Sequence, residues 1–157
     1  MLSRDWINNS KVKPGRPNKQ NAHFIKLYRT NLIDIVKHKK LDLVEAGLLL
    51  LILSLVGWQT PYIINPVTGK NMSAAEIATY LNQDRGHTSD ILDRLTNKGI
   101  ITKVSRGNGR ANHYMLNVNI GFYGKTIDDI NHVNVFKDCA YEPRLEIKYK
   151  QTPSVNK

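Results

Sequence analysis

Between positions 85 and 94 the chain places Arg85, His87, Ser89, Asp90 and Arg94, polar heads that suit one kind of chemistry. A guanidinium can donate two parallel hydrogen bonds to a guanine edge or hold a phosphate, and a carboxylate can accept from the N4 of cytosine. Further along, Lys103, Arg106, Asn108 and Arg110 stand around Gly107 and Gly109, cations on a backbone supple enough to come close to a phosphate or a groove. Lys13, Arg16 and Lys19 form a third basic group among Pro14, Gly15 and Pro17. Each group also has a plainer reading. Asp90 and Asp93, which phosphates would repel, can pair with Arg94 or Lys98 and leave that segment to packing or protein contact. Gly107-Asn108-Gly109 is by itself a good hairpin turn, and charged residues keep a surface solvated.

Other chemistries find little support. Gly124-Lys125-Thr126 imitates the end of a phosphate-binding loop, but the required earlier glycine position is Asn119, so the cradle is missing. No His-x-His pair and no Gly-x-Ser-x-Gly nucleophile motif occur, and the five histidines have no metal-ligand spacing. Cys139, the single cysteine, has no basic neighbour beyond Lys137, which predicts an inert thiol and no internal disulfide. We therefore expect no catalytic site, no metal, no cofactor and no small-molecule ligand.

The distribution of charge points to a polyanion. With 157 residues, 41% hydrophobic and 23% charged, the chain fits one globular domain with a net charge of +10. Residues 1–40 hold ten Lys or Arg against two acids, a net of +8, while residues 41–157 hold thirteen against eleven, a net of +2. A second excess lies between Arg85 and Arg110. Two basic zones on a small domain fit nucleic acid. Duplex DNA is expected over RNA because the basic zones lack stacking aromatics. The apolar run over residues 44–56 is shorter than a bilayer span and no secretory leader pattern opens the sequence. The expected setting is the cytoplasm, without membrane contact, where Asn8-Asn9-Ser10 and Asn71-Met72-Ser73 are not glycosylated.

These groups need elements to position them. Residues 1–21 have too few apolar positions to fold alone and read as a basic flexible arm. From Phe24, the residues Leu27, Tyr28, Leu32, Ile35 and Val36 share one helical face, although residues 24–28 also suit a short strand. Asp42 and Glu45 form a capping box before Leu48-Leu49-Leu50-Leu51-Ile52-Leu53, which predicts a buried helix ending near Gly57. Residues 58–71 read as a connection with a short extended piece. Ser73 and Glu76 form a second capping box for a helix with Ile77, Ala78 and Leu81 inward. Asp84 then caps a helix with Thr88, Ile91, Leu92 and Leu95 inward, closed at Lys98-Gly99. Residues 100–104 and 111–116 flank a glycine-rich tip and read as a hairpin. Beyond Gly121 helical periodicity fades, and Arg144-Leu145-Glu146-Ile147-Lys148-Tyr149-Lys150 alternates as an extended strand or arm, pairing with the hairpin of its own chain or with a partner.

Helix, turn, helix and hairpin in that order resemble bacterial winged-helix regulators, through Ile77-Ala78-x-x-Leu81, Ile91-Leu92-x-x-Leu95 and Lys98-Gly99-Ile100-Ile101. The resemblance covers residues 73–116 and departs from the usual pattern at Gln83, where an apolar turn residue is common, and at Gly86. More narrowly, Phe24-Ile25-Lys26-Leu27-Tyr28 and Tyr114-Met115-Leu116-Asn117-x-Asn119-Ile120 are similar to the RepL-like replication proteins of Firmicute plasmids and phages. Read with the loss of helical periodicity beyond Gly121, which gives an extended carboxy-terminal segment over 121–157, that likeness implies an α+β winged helix over residues 22–120. It implies non-enzymatic binding of an origin or operator in replication or transcriptional regulation, with a protein-interaction module as the alternative. A homodimer is expected from palindromic half-sites. Lys13, Arg16 and Lys19 sit around the Gly-Arg-Pro core of an AT-hook, without that motif's second arginine.

Overall fold

In a computed structural model, residues 24–124, 126–127, 129–137 and 148–149 are described, the strand residues 126–127 and 148–149 by their backbone alone. The architecture is α+β. In chain order the elements are β1 (Lys26–Leu27), α1 (Arg29–His38), α2 (Leu43–Leu53), α3 (Ala74–Tyr80), α4 (Arg85–Asn97), β2 (Ile101–Val104), β3 (His113–Leu116), β4 (Gly121–Phe122), β5 (Thr126–Ile127), α5 (Asn131–Asn134) and β6 (Lys148–Tyr149).

Local signals start the helices. The Asp42 carboxylate accepts the Glu45 amide at 2.7 Å while Glu45 accepts the Asp42 amide at 2.9 Å, so two otherwise orphaned donors at the start of α2 are satisfied reciprocally. Ser73 and Glu76 do the same for α3. The short-strand alternative holds at the beginning, where β1 pairs antiparallel with β4 before α1 begins. The helical face drawn from Phe24 onward is corrected accordingly: Ile35 is buried, but Phe24 and Val36 are exposed, and Asn31 turns inward in their place.

The main core gathers Ile35 of α1, Leu48 and Ile52 of α2, Ile77 of α3, Ile91, Leu92 and Leu95 of α4, and Ile101, Tyr114 and Leu116 of the β2–β3 hairpin. β2 and β3 pair from Ile101 with Leu116 to Val104 with His113. The other side of β3 is also occupied: Ile63 donates to the Tyr114 carbonyl at 3.0 Å and Leu116 donates to the Pro61 carbonyl at 2.9 Å, so the expected extended piece runs beside the hairpin.

Buried asparagines join these layers. The Asn31 side chain donates to the Asn119 carbonyl at 2.6 Å, the Asn117 amide group donates to the Gly99 carbonyl at 2.9 Å, and Asn117 Oδ1 accepts the Asn119 amide at 2.9 Å. A turn buried in the core thus has its polar groups met from α1 and from the end of α4, as burial requires.

Two expectations need correcting. α2 is buried on one side only, through Glu45, Leu48, Leu49, Ile52 and Leu53, and it stops at Leu53, leaving Leu43, Val44, Leu50 and Leu51 exposed. Residues past 121 are not uniformly extended. β4 closes against β1, α5 forms a short helix, and Phe122 and Phe136 are buried in a second cluster with Met115 and Val118. β6 pairs in parallel with β5 rather than with the hairpin.

Candidate nucleic-acid interface

α3 and α4 are joined through residues 81–84, where Asn82 takes a left-handed φ of 52° and the Gln83 amide returns to the Ala78 carbonyl at 2.9 Å. Gln83 stays exposed and donates to the Leu81 carbonyl at 3.2 Å. The turn is therefore held by backbone and amide bonds, with no apolar side chain plugged beneath it at this position. Asp84 caps α4 through the His87 amide at 2.7 Å, and the buried Thr88 hydroxyl donates to the Asp84 carbonyl at 2.7 Å. Thr88, Ile91, Leu92 and Leu95 face inward as expected, which turns Arg85, Gly86 and Asp90 to solvent. Gly86 has open space around it apart from its own capping carboxylate.

At the hairpin tip, Gly107, Asn108 and Gly109 take positive φ of 68°, 50° and 66° in succession, which explains the glycines there. The Gly107 amide donates to Ser105 Oγ at 3.2 Å and the Arg110 amide to the Gly107 carbonyl at 3.1 Å. This turn holds Arg106, Asn108 and Arg110 out in solvent.

The basic residues of α4 and the hairpin divide sharply by partner. Arg94 Nη1 lies 2.8 Å from Asp42 Oδ2 and 3.7 Å from Glu45 Oε1. Lys98 Nζ binds Glu45 Oε2 and donates to the Lys40 carbonyl at 3.1 Å. Lys103 Nζ lies 2.6 Å from Asp93 Oδ1, and that bond lifts the lysine above its ordinary pKa. By contrast Arg85, Arg106 and Arg110 form no ion pair with any described residue, and neither does Asp90. The pairing of Asp90 and Asp93 with Arg94 or Lys98 is thereby corrected: Asp93 takes Lys103, while Arg94 and Lys98 reach α2. Arg94, expected among the base readers, is held on the α2 side of α4. His87 is exposed beside Leu51 and Ile91, and Ser89 is half-buried. Lys13, Arg16 and Lys19, with Cys139 and Lys125, lie outside the described residues.

One titratable group escaped the sequence reading. His113, at the start of β3, is held below its usual pKa by burial and then by the nearby Arg106, with Glu76 opposing. Its Nε2 is buried without a hydrogen-bond partner among the described residues. Glu76 is in turn lowered by the Ser73 backbone and hydroxyl bonds and by Arg106, so the hairpin arginine, the α3 cap and His113 share one electrostatic neighbourhood. Alternation along a strand marks His113 as half-buried, but its charged neighbours come from elsewhere in the chain. Among the described residues no three His, Cys, Asp or Glu side chains are grouped to hold a metal, and no helix is long and apolar enough to cross a membrane. Compared with family models, curated proteins and solved structures, the chain matches none of them.

Proposed function

We propose that the chain binds duplex DNA as a winged-helix protein, with α4 presented to the major groove and the β2–β3 hairpin as the wing, and that it acts without catalysis in plasmid- or phage-type replication control or transcriptional regulation. The observation that carries this reading is the division of the cations. Of the cations of α4 and the hairpin, Arg94 and Lys98 are matched by acids at the start of α2 and Lys103 by Asp93 of α4, whereas Arg85 in the first turn of α4 and Arg106 and Arg110 at the hairpin tip are exposed and pair with no described residue. These are the places from which a recognition helix reaches bases and a wing reaches phosphates. Asp90 lies on the same exposed side of α4 and suits a cytosine N4, while Asn108 and Ser89 add neutral donors.

The test is selection from a random duplex library followed by binding at several salt concentrations. A single enriched motif is expected, with affinity falling by a log-log slope of about −0.9 per neutralised phosphate. Arg85→Ala should lose roughly 1–3 kcal/mol on the selected site and relax its specificity, whereas Arg106→Ala and Arg110→Ala should weaken all sequences alike. No enriched motif, or affinity indifferent to salt, overturns the proposal. The exposed apolar side of α2 favours protein contact as well, through residues separate from these arginines.

A further inference from the structure

α2 is apolar on its outer side as well as on the side that packs in the core. Its one acidic residue, Glu45, is 1% exposed and faces the core, where Lys98 neutralises it. Its outer side is apolar: Leu43 is 91% exposed, Val44 49%, Leu50 69% and Leu51 41%. A helix apolar all round is normally covered all round. Gly47 lies at the centre of this stripe, and apart from its own helix backbone no described atom comes within 4 Å of the position its Cβ would take, so no described neighbour requires a glycine there.

We propose that this stripe is the contact between two copies of the chain, with α2 packed antiparallel against α2 of the second copy across a two-fold axis at Gly47. The spacing carries the choice of occupant. Leu43 and Val44 stand four and three residues before Gly47, and Leu51 and Leu50 stand four and three after it. An antiparallel two-fold crossing sets Val44 against Leu50 and Leu43 against Leu51 of the second copy, and sets Gly47 against its own mate, where the missing side chain lets the axes approach. Such a surface is complementary to itself, as a two-fold interface must be.

Charge and area agree. The molecule carries +10, so two copies repel over most of their surface, yet this stripe has no charged side chain. The four aliphatic residues leave roughly 400–500 Å² uncovered per copy, near the upper limit that monomers keep open. Both copies together approach the ~1,000 Å² a specific interface needs. Leu50 also lines a groove with Phe24 and Leu27, which extends the apolar surface beyond α2. The proposal goes beyond DNA binding and is tested without DNA.

Sedimentation equilibrium of the full chain should show a concentration-dependent dimer. Leu50→Lys, at an exposed position that leaves the circular dichroism and melting of the fold unchanged, should raise the dimer dissociation constant at least about 100-fold by placing two charges in the contact. In a Cys139→Ser background, Gly47→Cys should cross-link to a dimer under mild oxidation. Leu43→Cys should not, because its mate lies about 12 Å away along the helix axes. A monomer at every concentration overturns the proposal and leaves the stripe to residues 1–23 or to a different protein. A dimer indifferent to Leu50→Lys, or one cross-linked through position 43 and not 47, overturns the antiparallel two-fold.

Discussion

Lys98 and Arg94 stand one helical turn apart on α4 and reach the same neighbour, α2, yet they guard different acids. Lys98 meets Glu45, which is 1% exposed, while the shortest bond of Arg94 is to Asp42, which is 47% exposed. Removing one partner of a buried pair leaves an uncompensated charge, whereas an exposed pair is screened by water. Lys98→Ala should therefore cost about 3 kcal/mol in a urea melt and Arg94→Ala distinctly less. Equal losses would mean that Arg94, 3.7 Å from Glu45 Oε1, shares the buried charge equally with Lys98. His113 adds a pH dependence. Its native pKa lies below the ordinary 6.5, because burial and Arg106 disfavour its charged form. Between those two values the unfolded chain holds a proton the native chain does not, so stability rises with pH through this window and is lost on acidification. Melting temperature should fall as pH drops from 7 toward the lowered value, and His113→Gln should flatten that fall. The capping carboxylates Asp42 and Glu76, both lowered from 3.8 and 4.5 chiefly by backbone amide bonds, act with the same sign at still lower pH.

At the scale of elements, capping and periodicity were readable because they are local. Asp42 with Glu45, Ser73 with Glu76, and the inward quartet of α4 all lie within a few turns of sequence, and the structure forms them as expected. What was not readable depends on partners far away. Arg94 pairs with Asp42 across 52 residues, and no local pattern distinguishes that arginine from Arg85, which pairs with no described residue. The six apolar residues from Leu48 to Leu53 suggested full burial, but a helix needs neighbours on every side for that, and α2 has them on one. The short α5 and the burial of Phe136 were missed for a similar reason: four residues carry no period, and their packing comes from Met115, Val118 and Phe122. Gly47 offers a test at this scale. Glycine inside a helix costs roughly 0.5–1 kcal/mol relative to alanine, and the open space around it admits a methyl group. Gly47→Ala should stabilise the isolated chain by about that amount when measured at concentrations low enough to keep it monomeric. A loss of stability there would mean that the surroundings of α2 are already occupied within one copy.

For the whole molecule, the decisive quantity is where the surplus charge lies relative to the folded elements. The acids and bases of residues 41–124 largely neutralise one another, seven Lys or Arg against six Asp or Glu, whereas residues 1–40 carry ten against two, five of the ten being Arg4, Lys11, Lys13, Arg16 and Lys19 in the first 20 residues. If the proposed binding of DNA through α4 and the hairpin holds, a basic segment joined ahead of β1 would extend the contact to phosphates and grooves beside the main site. If Arg16 enters a flanking minor groove, the gain is largest where that groove is narrow, as in A·T tracts. Deleting residues 1–20 should therefore leave the melting temperature of the domain unchanged, lower affinity, make the salt dependence shallower and remove a preference for A·T over G·C flanks. Arg16→Ala should remove most of that preference while keeping most of the salt dependence, because four of the five bases remain to meet phosphates. Equal binding of the full and shortened chains at low salt, on sites with either flank, would confine recognition to α4 and the hairpin and leave the amino-terminal charge with no part in it.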